Sequence, residues 1–147
     1  YKAEYGYYPT LNVGGGVPND GVNLKSRNDE FFKSLGAVEY TTGSGFQRWQ
    51  GSGNDRRELN PKLISFYSFG EADIASQAIS VGGENVTRGD LVDDFFNPNI
   101  RMAIEDQNGV VEVPTRNGNN TEEISTEVAF WTDNDDGAGF EDVFSWN

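Results

Sequence analysis

The sequence predicts an α+β fold, an N-terminal helix remnant packed on a small antiparallel β-sheet with long loops. Ile100, Met102 and Ile104 alternate along one stretch, and Ile124, Thr126, Val128 and Phe130 repeat that period of two, the mark of half-buried strands. Phe31, Phe32 and Leu35 instead form an apolar stripe within a short helical stretch. The helical signals come early and the strand signals late, an order that favours α+β over repeated βαβ units.

Residues 1–10, Tyr1-Lys-Ala-Glu-Tyr-Gly-Tyr-Tyr-Pro-Thr10, read as the last turns of a helix stopped by Gly6 and Pro9. Tyr1 and Tyr5 share one face at i,i+4 spacing. Because the chain opens on Tyr1 inside a helix, a segment upstream is expected to have been removed. Residues 11–25 hold Gly14-Gly15-Gly16, Pro18 and Asn19-Asp20-Gly21 and read as a loop. The triple glycine lacks the GxxxxGK[ST] pattern and a preceding strand, so it is no phosphate loop.

Residues 26–36 form the short helix, with Asn28 as N-cap, Asp29 and Glu30 in the first turn and Gly36 closing it. Residues 41–60 are polar and glycine-rich and read as a loop, with Trp49 as an anchor over the core rather than a binding platform. Residues 60–69 read as the first strand, Pro61 standing at its entry where no ladder N–H is lost. One or two helical turns over 71–80 end at Gly82-Gly83. Residues 91–99 are a turn with buried aromatics that leads into a strand over 100–105. Asp106-Gln-Asn-Gly109 then turns the chain so that residues 110–113 return as the hairpin partner. Phe144 and Trp146 belong to a last short strand. The whole, residues 1–147, is read as a single domain: a helix end (1–10), a helix with glycine-rich loops (11–60) and a strand-rich part with an acidic C-terminal loop (61–147).

The composition excludes several chemistries. These 147 residues contain no cysteine and no histidine, which rules out a Cys nucleophile, a His base, a Ser-His-Asp triad and a typical zinc site within them. The net charge of −13 disfavours nucleic acid and anionic membrane surfaces as partners. It is also uneven. After Arg116 there is no Lys or Arg, while Glu122, Glu123, Glu127, Asp133, Asp135, Asp136, Glu141 and Asp142 follow.

The last of these acids crowd between two apolar runs, 128–131 and 143–146. Two carboxylates about 4 Å apart repel by roughly 1 kcal/mol in bulk water and about 4 kcal/mol at an effective dielectric near 20. Such a loop needs open solvent or a cation, and oxygen-only ligands beside glycine suit calcium before magnesium. It is not an EF-hand: with Gly137 as the sixth residue, positions one and twelve fall on Thr132 and Val143.

Four segments in order resemble the globular part of type IV pilin-like proteins, closest to the major pseudopilin of type II secretion. Tyr5-Gly-Tyr-Tyr-Pro-Thr10 is similar to the "G-x-Y-P-T" with which that family leaves its long N-terminal helix. Asn60-Pro-Lys-Leu-Ile-Ser-Phe66 resembles a strand entry of one bacterial subgroup. Asp93-Asp-Phe-Phe-Asn-Pro-Asn99 resembles "D-P-W-G-N-P-Y", keeping Asp93, Asn97 and Pro98 and placing Phe95 at the Trp; Asp94, Phe96 and Asn99 replace the family's Pro, Gly and Tyr. Residues 132–146 resemble the terminal "DG…G…(A/E)D-I…W" loop.

The resemblance implies a filament subunit whose upstream hydrophobic helix anchors it in the bacterial inner membrane, facing the periplasm, and then packs into a filament at the cell surface. Its partners would be copies of itself, other pilin-like subunits and secretion machinery. It implies a calcium loop carried by Asp136 and Asp142, with Asp133 and Asp135 as neighbours, and no enzymatic activity. Two other readings compete. A secreted calcium-dependent carbohydrate- or surface-binding module would use Trp49, Trp131 and Trp146. A glycosidase would need two carboxyls about 5 to 9.5 Å apart across a cleft, which so short and lean a chain has little room to form.

Overall fold

The computed structural model describes residues 1–9, 22–81, 84–93, 96–105, 108–115 and 121–132. Of the loop expected over 11–25, residues 11–21 lie outside those residues, as do the Gly82-Gly83 break, Phe95 and the last strand with Phe144 and Trp146; residues 22–25 are a short strand and the start of a 3₁₀ turn instead of loop.

Strand β6 (Ile100–Ile104) is the middle of a three-stranded antiparallel sheet, flanked by β1 (Val22–Asn23) and β9 (Val128–Thr132). Its register with β9 sets Met102 opposite Phe130, Ala103 opposite Ala129 and Ile104 opposite Val128. The predicted alternation therefore sorts two faces. On one, Met102 and Ile104 are buried with Leu24, Phe31, Phe32, Ile74 and Leu91, and Ile100, Val128 and Phe130 pack against them. On the other, Ala103, Ala129 and Trp131 pack with Val111 and Val113. The sheet is covered on both sides, by a helix and by a hairpin, and the class is mixed α+β.

The helical cover is wound in three ways. A 3₁₀ turn (Leu24–Arg27) runs into α2 (Asn28–Phe31), which continues as a π-helix (Phe32–Gly36). Asn28 is thus inside the helix, and Asn23 is the residue whose side chain accepts from the Lys25 N–H at the helix start. With its amide turned to satisfy both partners, Asn28 instead bridges the Leu24 carbonyl and the Leu91 N–H. Gly36 does not take the left-handed cap either; Ala37 does, at φ 51°. Gly36 is needed for space, since a Cβ there would stand 2.6 Å from the Phe69 ring.

The region expected to be one polar loop, 41–60, is organised. β2 (Val38–Thr41) and β3 (Gly45–Arg48) form an antiparallel hairpin, and α3 (Gly53–Leu59) follows. Trp49 is buried as expected, with its N–H donating to the Ala37 carbonyl and Lys33 Nζ 5.6 Å from its ring centroid.

Residues 60–69 are not a strand. Their backbone groups are satisfied elsewhere: the Phe66 and Tyr67 N–H groups both donate to the Leu35 carbonyl at the end of the helix. Leu63 turns through φ 55°, which no ladder accommodates. The segment is instead organised by Asn60, fully buried, whose Nδ2 donates to the Lys33, Ser34 and Ile64 carbonyls while Oδ1 accepts from the Ile64 N–H and the Tyr5 hydroxyl.

Further along, only Glu71–Asp73 is helical, as a 3₁₀ turn, before the hairpin of β4 (Ile79–Val81) and β5 (Glu84–Val86). β7 (Val111–Pro114) is not the ladder partner of β6. Both edges of β6 are already taken, so β7 pairs with β8 (Thr121–Ile124) and lies across the sheet's second face. The alternation from Ile124 to Phe130 is also interrupted. A bend at 125–127 lets Ile124 pack on the Ala103 side while Val128 and Phe130 pack on the other.

Asn60 ties the helix end, the irregular segment and the N-terminal helix together without any apolar contribution of its own. Replacing it by alanine leaves several buried carbonyls and one N–H without partners, at roughly 1–3 kcal/mol for each group that water cannot reach. Asn60→Ala is expected to lower stability in urea unfolding by about 3 kcal/mol, and a loss under ~1 kcal/mol would remove the hub role.

Candidate functional site

The N-terminal segment is α1 (Lys2–Tyr5), closed by Gly6 in the left-handed conformation at φ 78°, as expected. Its tyrosine face docks on residues 59–66. The Tyr1 hydroxyl donates to the Leu59 carbonyl at 2.5 Å, the Tyr5 hydroxyl donates to Asn60 Oδ1, and both rings meet Phe66. Burial, followed by the nearby Tyr7 and Tyr5 hydroxyls, pushes the Tyr1 phenol well above its ordinary value.

The opposite side of this segment is held to the sheet by charge. Lys2 Nζ lies 2.7 Å from the Tyr8 hydroxyl, 3.2 Å from Glu127 and 3.5 Å from Glu105, at the end of the β6–β9 ladder. The hydrogen bond with Tyr8 and then the bond and charge of Lys2 hold the exposed Glu127 carboxyl below the usual carboxylate range. Nothing in the sequence pairs Lys2 with residues 105 and 127. That contact exists only because β6 and β9 bring the two acids together.

The entry to β6 is the second built feature. Asp93 closes a five-residue turn: its Oδ1 accepts from the Asn97 N–H at 2.9 Å, its N–H donates to the Asn97 carbonyl, and its carbonyl accepts from Phe96. Asn97 and Pro98 are fully buried, and Asn97 Oδ1 accepts from the Asn99 N–H. Phe96 has φ 63° and is 52% exposed, so a bulky aromatic occupies a left-handed position and points largely to solvent. Pro98, which offers no donor, stands before the ladder begins.

Thr132, the last residue of β9, pairs with Ile100 at this same end of the sheet. Asp133, Asp135, Asp136 and Asp142, the residues read as calcium ligands, lie outside the described residues. Among the described residues, no group of three or more Asp, Glu, His or Cys is placed to hold a metal ion. No described helix is long and apolar enough to cross a membrane. Trp131 is buried beside Ala129 and Val113, and Trp49 is buried under the helix end, so neither offers a platform for a sugar.

The chain matches no family model, no curated protein and no solved structure. Its function therefore rests on its own residues.

The backbone at residue 96 is the sharpest of these. An L-residue held in the left-handed region costs roughly 1–2 kcal/mol, and glycine carries no such penalty. Phe96→Gly is expected to raise stability by up to about 1 kcal/mol, with Phe96→Ala giving none of that gain. Equal effects of the two substitutions in thermal melts would show that the backbone there is unstrained.

Proposed function

We propose that this chain is the globular part of a pilin-like filament subunit, of the kind that builds the type II secretion pseudopilus or a type IV pilus-like filament. One observation carries the reading. The residues that match "D-P-W-G-N-P-Y" are those that build the turn into the central strand, namely Asp93, Asn97 and Pro98. The position where that pattern has glycine, Phe96, is the one whose backbone is left-handed. A pattern whose glycine falls on a conformation that calls for glycine is matched in backbone as well as in letters.

Two further features agree with it. The N-terminal helical turn ends at a left-handed Gly6 ahead of Tyr7-Tyr8-Pro9, and its tyrosine face is docked on the body by Asn60 and Phe66. The central antiparallel sheet carries the helix-facing core behind that docking. In this reading a hydrophobic helix preceding Tyr1 anchors the subunit in the inner membrane and packs into the filament core. The globular part coats the filament, with copies of itself, other pilin-like subunits and the secretion machinery as partners. The reading assigns no reaction to it.

The donor chemistry of Asp133, Asp135, Asp136 and Asp142 fits calcium: hard oxygens only, beside Gly137 and Gly139. Asp136 and Asp142 would hold the ion, with Asp133 and Asp135 adding charge or ligands. A bound ion would offset the mutual repulsion of these carboxylates and stabilise the folded form alone.

The coding sequence upstream of Tyr1 tests the filament reading. A basic leader followed by about 20 apolar residues with an early glutamate is expected, and a cleavable secretory leader would overturn it. For the ion, chelator is expected to lower the melting temperature by roughly 5 °C, and calcium to restore it. Asp136→Ala should abolish the response. A melting curve indifferent to chelator, calcium and the substitution would leave a solvated acidic loop.

A further inference from the structure

Between α2, the segment from Tyr67 to Asp73 and strand β9 lies a half-open cavity of about 330 Å³. Its walls are aromatic. Phe31 and Tyr67 each meet Phe69 edge to face, at interplanar angles of 63° and centroid separations of 5.7 and 4.7 Å, and Phe130 closes the side formed by β9. Rings at such angles form the sides of a box rather than a stack. Leu35 and Leu91 complete the apolar lining, and Asp73 is its single charged group.

The Asp73 carboxylate has no cationic partner among the described residues. Its Oδ2 accepts from the Gly70 N–H at 2.7 Å and its Oδ1 accepts from the Tyr67 hydroxyl at 3.3 Å. Those contacts fix the carboxylate at the rim but leave its charge uncompensated, in a chain whose net charge is −13. Aromatic rings and a carboxylate around one cavity favour the same occupant, a cation.

The hydrogen-bonding inventory narrows the class. A primary ammonium brings three N–H donors and a guanidinium five, all needing acceptors. Here the only charged side-chain acceptor already takes the Gly70 N–H and the Tyr67 hydroxyl, which leaves about two of a carboxylate's roughly four acceptor sites, fewer than either group's donors. A cation without N–H donors meets no such shortage. We propose that this cavity binds a quaternary ammonium group, a trimethylammonium headgroup of the choline type, with the rings enclosing the methyls and Asp73 supplying the countercharge. The proposal goes beyond the filament reading and does not depend on it.

Choline titrated into the isotope-labelled protein at constant ionic strength, followed by NMR, tests this. Saturable shifts are expected at Tyr67, Phe69 and Phe130. Choline should bind at least about fivefold tighter than its uncharged isostere 3,3-dimethylbutan-1-ol, and tighter than ethanolamine. Asp73→Asn keeps an oxygen for the Gly70 N–H while removing the charge. It should lower choline affinity about fivefold and leave the isostere's unchanged. Tyr67→Ser, at a half-exposed position, should weaken both ligands and serves if Asp73→Asn fails to fold. Equal affinity for choline and its isostere would reduce the cavity to an apolar groove, and absence of saturable shifts would eliminate the site.

Discussion

Strand β6 constrains everything else because all four of its sides are used. Its edges are hydrogen-bonded to β1 and β9, and its faces are buried under the α2 helix and under the β7–β8 hairpin. A strand so enclosed cannot take a further ladder partner and cannot slip in register. A shift by one residue would send Met102 and Ile104 to the face built for alanine. The neighbouring elements are placed by what that strand leaves open. The hairpin stacks rather than pairs, the helix lies along the larger apolar face, and the Asp93–Asn97 turn sets the strand's starting point.

Around this centre the chain relies on side chains that satisfy backbone groups. Asn60, Asp93 and Asn97 are each wholly or largely withdrawn from water, and each takes the place of a ladder or helix hydrogen bond that the irregular backbone does not make. Such residues hold loops in place in a chain with a lean apolar content, where burial alone would leave the loops loose. The N-terminal helix depends on the same device. It is only four residues long, too short to persist unaided, and it is kept by the tyrosine hydroxyls on one side and Lys2 on the other.

What the sequence discloses and what it hides separate along physical lines. The β6 strand and the two faces it presents were legible, because Ile100, Met102 and Ile104 carry the period locally. So were the helix at Phe31 and Phe32, the αL stop at Gly6 and the buried Trp49. The pairing of β7 was not, since it is decided by which edges remain free, a property of the assembled sheet. Residues 60–69 have a strand's composition, but one buried asparagine and the left-handed Leu63 redirect them, and neither leaves a periodic trace. The β2–β3 hairpin escaped because its strands are only four residues each and half-buried, and α3 because it is mostly exposed. Only Leu59 of α3 is buried, so no apolar stripe marks it. At the candidate site, the turn over 91–99 was readable, whereas the Lys2 contact with Glu105 and Glu127 arises only from the fold.

The facing pair Ala103 and Ala129, each fully buried at the centre of the second face, sets how near the hairpin can come. Two of the smallest side chains meet there, and Val111 and Val113 fill the space they leave. Volume on this face is therefore a shared quantity. A larger residue on the sheet is tolerated only with a smaller one on the hairpin, so the layer is open to change by matched exchange and closed to single steps.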